Sequence, residues 1–194
     1  MANHPIDSTL LDKAIRFATD AHAGTERRGK GFPYIVHPLE AVAIAASITP
    51  DQEILAAAVL HDTVEDTSVT LDDLRWEFGD RVASLVEAES DVFDDSVSET
   101  DSWHERKAAA IARLAAAPRD AKIVAMGDKL SNMRAIWRDY KEKGDALWSI
   151  FHAKDKKDHE WHYRGLADSL CDLSGTFAFQ EFQMLVDDVF NDGK

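Results

Sequence analysis

Cysteine is almost missing from this 194-residue sequence; Cys171 is the single one. An intramolecular disulfide framework is therefore excluded, and a reducing, cytoplasmic setting is expected. Proline (5) and glycine (9) are scarce, which disfavours an architecture of many short strands joined by tight turns. Basic residues are outnumbered, 22 Lys and Arg against 36 Asp and Glu, for a net charge of −14. Such a field repels a polyphosphate backbone, so nucleic acid is not an expected partner. Long apolar runs are lacking too. The longest, around Ile54–Leu60, falls far short of the roughly 20 residues that span a bilayer, and Met-Ala-Asn-His-Pro lacks a basic-then-apolar leader. No membrane association is expected.

What is present is helical. Ala, Leu, Glu, Asp and Lys dominate, and 45% hydrophobic with 30% charged residues is an ordinary globular balance. At a usual scale of about 150 residues per domain, the chain is expected to form one domain over 1–194. The periodicity predicts helices over 8–23, 39–48, 52–64, 70–78, 80–89, 103–117, 120–143, 145–153, 158–173 and 177–190. Ser8 and Asp51 are expected caps, and Thr70 with Asp73 reads as a capping pair. Residues 90–102, acidic and serine-rich, read as a mobile loop. The fold class is all-α, a bundle of about eight to ten helices.

Ionisable residues interrupt the most apolar stretches. The third helix ends in His61-Asp62-Thr63-Val64-Glu65-Asp66, where i, i+4 spacing sets His61 over Glu65 and Asp62 over Asp66. His37 lies 24 residues earlier, and Asp128 lies 66 residues after Asp62 inside another apolar helix, with Asn132 at i+4. Buried carboxylates need cationic partners. Two imidazoles and two carboxylates suit Mn²⁺, Fe²⁺ or Zn²⁺, and without a thiolate a structural zinc site is disfavoured. Cys171 reads as a small buried hydrophobe and His22 as a core or supporting histidine. His152, His159 and His162 read as a solvated face, and Trp161, Tyr163 and Leu166 as packing residues.

Arg28, Pro33-Tyr34-Ile35-Val36-His37-Pro38, Leu60-His61-Asp62-Thr63-Val64-Glu65-Asp66-Thr67, Phe78-Gly79 and Asp128-Lys129-Leu130-Ser131-Asn132-Met133-Arg134 together resemble the HD-domain metallohydrolases. More narrowly they resemble the hydrolase domain of RelA/SpoT-type enzymes and the stand-alone small alarmone hydrolases. The resemblance is strongest over 8–140, with 145–194 expected to pack as C-terminal helices. It implies hydrolysis of the 3′-pyrophosphate of guanosine 3′,5′-bis(diphosphate) with one Mn²⁺, and a small-molecule nucleotide as partner.

Carried over by motif, His37, His61, Asp62 and Asp128 would be metal ligands, Glu65 and Asp66 would act on the water, and Arg28 and Asn132 would meet substrate. Lys30, Arg106 and Lys107 are further candidates, with Lys129 and Arg134 as alternative phosphate partners. Two departures stand out. Gly29 occupies the place of a lysine that lies against guanine, and Glu87-Ala88-Glu89-Ser90 replaces the usual Gly-Val-Thr-Lys. Two other readings stay open: an HD-type phosphohydrolase of another phosphorylated metabolite, and a non-catalytic nucleotide-binding module.

Overall fold

The computed structural model describes residues 7–90 and 103–191. The loop expected over 90–102 lies outside them from residue 91 onward. The described residues form α1 (Thr9–Ala21), α2 (Val36–Ala46), α3 (Gln52–Leu60), α4 (Thr63–Asp66), α5 (Leu71–Phe78), α6 (Asp80–Glu89), α7 (Trp103–Ala116), α8 (Arg119–Lys143), α9 (Lys156–Ser169) and α10 (Phe177–Phe190). Two 3₁₀ segments, Gly144–Ile150 and Cys171–Leu173, complete them. The class is all-α, as the residue pattern predicts.

Local chemistry explains several boundaries. Asp51 caps α3 by accepting from the Glu53 and Ile54 amides, and Thr70 with Asp73 closes a capping box on α5. Ser8 does not cap α1. Its hydroxyl donates to Asp12, while the Asp7 carboxylate accepts from the Thr9 amide. The stretch expected as a helix over 145–153 is a 3₁₀ turn, and the one expected over 158–173 ends at Ser169.

α3 is the centre of the molecule. Ile54 through Leu60 are buried on every side, enclosed by α1, α2, α6 and α8. A helix apolar all round is stable only in such a place. Ala-rich faces let the surrounding helices come close, and α2 and α8 come closest. A Cβ on Gly127 would stand 2.6 Å from the Ala41 carbonyl oxygen, inside any permitted contact. The sequence neighbour of Gly127 is Asp128, so this close approach sets how far the carboxylate of α8 lies from the histidine at the start of α2. Gly127→Ala is expected to lower stability by about 1–3 kcal/mol through overpacking. A urea midpoint equal to that of the parent protein would contradict this crossing.

Candidate active site

Two helix ends and the middle of a third helix deliver the polar groups. α2 begins at Val36, earlier than the sequence suggests, and sets His37 in its first turn. α3 stops at Leu60 instead of running on to Val64; His61 and Asp62 form a turn before α4. In a continuous helix neighbouring residues diverge by about 100°. His61 and Asp62 keep near-helical backbone angles (φ −53°, ψ −38° and φ −93°, ψ −3°), so their side chains close the gap, Asp62 Oδ2 reaching 2.9 Å from His61 Nε2. Asp128 comes from the buried middle of α8.

The hydrogen bonds behind the two imidazoles decide their tautomers. His61 Nδ1 lies 2.9 Å from the Ala58 carbonyl oxygen, which only accepts, so this nitrogen carries the proton. The Ser131 hydroxyl donates to Glu40 at 2.7 Å and therefore accepts from His37 Nδ1 at 2.8 Å. Both rings thus keep a proton on Nδ1 and turn their Nε2 atoms toward each other, 3.2 Å apart. Asp128 Oδ1 lies 3.1 Å from the Nε2 of His37 and 3.6 Å from that of His61. Asp62 Oδ2 lies 3.4 Å and 2.9 Å from the same atoms.

His37, His61 and Asp128 bring their ligand atoms close enough to share one cation, and Asp62 Oδ2 stands beside both imidazoles outside that grouping. With metal–ligand bonds of about 2.1 Å, two ligands at right angles stand about 3.0 Å apart, so the spacing suits one divalent ion. The carboxylates also act on protons here. Burial alone would push the His61 imidazole down, yet Asp62 and Asp128 outweigh it and hold it well above its ordinary value. Burial would raise both carboxyls, but the two imidazoles hold Asp62 down, and Lys129 together with them holds Asp128 down.

Around this centre the carboxylates accept further hydrogen bonds. The Tyr34 hydroxyl donates to Asp62 Oδ2 at 2.6 Å, and burial with the nearby Asp62 and Asp66 charges raises its pKa. Lys129 Nζ donates to Asp128 Oδ2 at 2.6 Å and also meets Glu89 at 3.3 Å. Asn132 donates to Asp128 Oδ1 and accepts from Arg27. His22 is buried behind Tyr34, ring centroids 4.8 Å apart, in the supporting position expected of it.

The centre lines a cavity of about 340 Å³. Glu65 lines it; Asp66 does not, although its charge reaches Tyr34. Asn132, Lys107 and Lys129 line it; Arg28, Lys30 and Arg106 do not. Arg134 is also elsewhere, paired with Glu40 and Glu181.

Arg27 takes the place expected of Arg28, and the loop explains why. The Arg27 amide donates to Phe32 O and the Tyr34 amide to Thr25 O, so the segment folds back on itself. Lys30 N closes a turn on Arg27 O, with Arg28 and Gly29 at its tip. Gly29 has φ +69°, which the third position of a type II turn demands and which disfavours a lysine there. Arg28 is consequently exposed, Lys30 pairs with Asp139, and Arg27 reaches inward over the Tyr34 ring.

Other residues also depart from expectation. His159 is buried, and His159 and His162 line the cavity beside Trp103, because α9 turns that face onto α7. Burial, with nearby Lys107 and Lys129, pushes the His162 imidazole down to about 3. Cys171 is exposed, since it opens a 3₁₀ turn and does not sit inside a helix. Trp161 is half exposed, whereas Tyr163 and Leu166 pack inward as expected.

An all-helical bundle joining a histidine, a His-Asp pair and a distant aspartate is the arrangement of an HD-type domain. A model described as HD domain matches residues 14–155, and the chain belongs to that family. It is 33% identical over 145 residues to guanosine-3′,5′-bis(diphosphate) 3′-pyrophosphohydrolase of Aquifex aeolicus (strain VF5), covering 74% of this chain and 20% of that one. The chain thus spans about one-fifth of the length of that curated relative. Its fold matches a metazoan ortholog of SpoT that hydrolyzes ppGpp, with TM-score 0.68, 24% identity, and coverage of 98% and 97% of the two chains. A protein from Listeria monocytogenes EGD-e matches with TM-score 0.69 and 30% identity, over 84% of this chain and 98% of that one.

Tyr34→Phe removes a hydroxyl from a carboxylate that faces the imidazoles. Loss of such an outer hydrogen bond is expected to weaken divalent-ion affinity by about 10-fold or more. Competition against a metal-sensitive dye measures it, and parent-like affinity would contradict the role given to this hydroxyl.

Proposed function

We propose that the chain is a divalent-metal-dependent hydrolase that removes the 3′-pyrophosphate of guanosine 3′,5′-bis(diphosphate), with Mn²⁺ as its ion. The supporting observation is the convergence of two Nε2 atoms and two carboxylates in a cavity also lined by Arg27, Lys107, Arg113 and Lys129. The Aquifex relative's activity agrees with it.

In this reading His37, His61, Asp62 and Asp128 hold the ion. When bound, it supplies Lewis-acid polarisation of the attacking water and offsets charge on the phosphoryl group. Glu65, on the cavity wall within α4, takes the water's proton at its carboxylate. Asp66 supports from outside through Tyr34. Arg27 and Lys107 pair with phosphate oxygens, which a protein of net charge −14 must attract locally. Asn132 holds Arg27 and Asp128 in register. One water is consumed, the bond from the 3′-oxygen to phosphorus breaks, and pyrophosphate and guanosine 5′-diphosphate are released.

Arg28, Gly29 and Lys30 all stand outside the cavity, which favours a second reading in which the base is held loosely and other 3′-phosphorylated nucleotides are accepted. Glu65→Gln is expected to keep its metal and lose most turnover, because an amide cannot take the proton. Arg27→Ala is expected to lower kcat/KM by the equivalent of about 1.5–3 kcal/mol, with metal retained. A Mn²⁺-supplemented panel of 3′- and 5′-phosphorylated nucleotides tests both readings. Release of pyrophosphate from guanosine 3′,5′-bis(diphosphate) supports the first, cleavage of other members alone supports the second, and no turnover leaves a binding module.

A further inference from the structure

Glu89 is out of place in a cavity built for phosphates. It closes α6, its side chain is 7% exposed, and it lines the same space as Arg27, Lys107 and Arg113. Burying a carboxylate is costly unless it is paired, and a negative wall repels a polyanionic substrate. Its partner is Lys129, whose ammonium sits 3.3 Å from Glu89 and 2.6 Å from the outer oxygen of Asp128. The inner oxygen of Asp128 is the one that faces His37 and His61.

An unbalanced ammonium in that position would act on both ligands of the site. It would oppose a divalent ion held by Asp128 and attract the phosphates arriving beside it. A carboxylate across from it reverses both effects while keeping the ammonium against Asp128.

The geometry points to Glu89 as a positioning residue that clamps Lys129 onto Asp128 and balances its charge, favouring the divalent ion at the expense of phosphate attraction. This rests on the metal site proposed above. It sets the relative affinities of the same site for metal and for substrate.

The test uses the full chain stripped of metal and titrated with Mn²⁺, free ion being read by electron paramagnetic resonance. Glu89→Gln is expected to raise the Mn²⁺ dissociation constant about tenfold. At saturating Mn²⁺ the same variant is expected to lower KM for guanosine 3′,5′-bis(diphosphate). A merely structural role would worsen both constants together. The double variant Glu89→Gln with Lys129→Gln removes both charges and is expected to bind Mn²⁺ more tightly than the single variant. If Glu89→Gln does not fold by circular dichroism, Glu89→Thr, also neutral, carries the same expectation. Parent-like Mn²⁺ affinity in the neutral variant, or weakened affinity with a raised KM, overturns the inference while leaving the metal site standing. Absence of Mn²⁺ binding by the parent protein overturns both.

Discussion

Two buried imidazoles point their Nε2 nitrogens at each other across 3.2 Å, with a carboxylate oxygen on either side. Lone pairs at that distance repel unless a positive charge lies between them. Everything nearby keeps the arrangement from relaxing. The Ala58 carbonyl and the Ser131–Glu40 pair fix the rings from behind, and Tyr34, Lys129 and Asn132 take up the carboxylate oxygens. Rearranging one group would leave another buried and unsatisfied, which is the costly outcome in a low-dielectric interior.

The fold serves this constraint through departures from helical regularity. α3 stops at Leu60, and His61 and Asp62 follow it with near-helical backbone angles. A bulkier residue at 127 would push α8 away from α2 and separate Asp128 from His37. The turn at Arg27–Lys30 places glycine at its positive-φ corner and thereby chooses which of two adjacent arginines faces the cavity. Stability comes from the apolar surfaces of α3 and α8, and function from the places where their pattern is broken.

Those breaks also decide what could be read from residues alone. Helical class and most boundaries follow from periodicity and caps, because local propensity and burial agree there. The cluster at His37, His61 and Asp128 was legible because an ionisable group inside an apolar helix is costly to bury without a partner, and the grouping is present in the fold. Asp62 joins them at hydrogen-bonding distance. The choice of Arg27 over Arg28 was not legible, since it depends on turn geometry and not on composition. The inward face of α9 was legible at Tyr163 and Leu166 but not at His159 and His162, whose place depends on how the helix packs against α7. Glu89 was legible only as an oddity of sequence; its pairing with Lys129 joins residues 40 positions apart.

The central claim is that one divalent cation lies between the two imidazoles. Crystals grown with Mn²⁺ and measured near the manganese absorption edge test it most directly. The account predicts one anomalous peak per chain, about 2.1 Å from the Nε2 atoms of His37 and His61 and from an oxygen of Asp62 and of Asp128. A peak bound elsewhere on the chain, or imidazoles at bonding distance with no peak between them at saturating Mn²⁺, would contradict it.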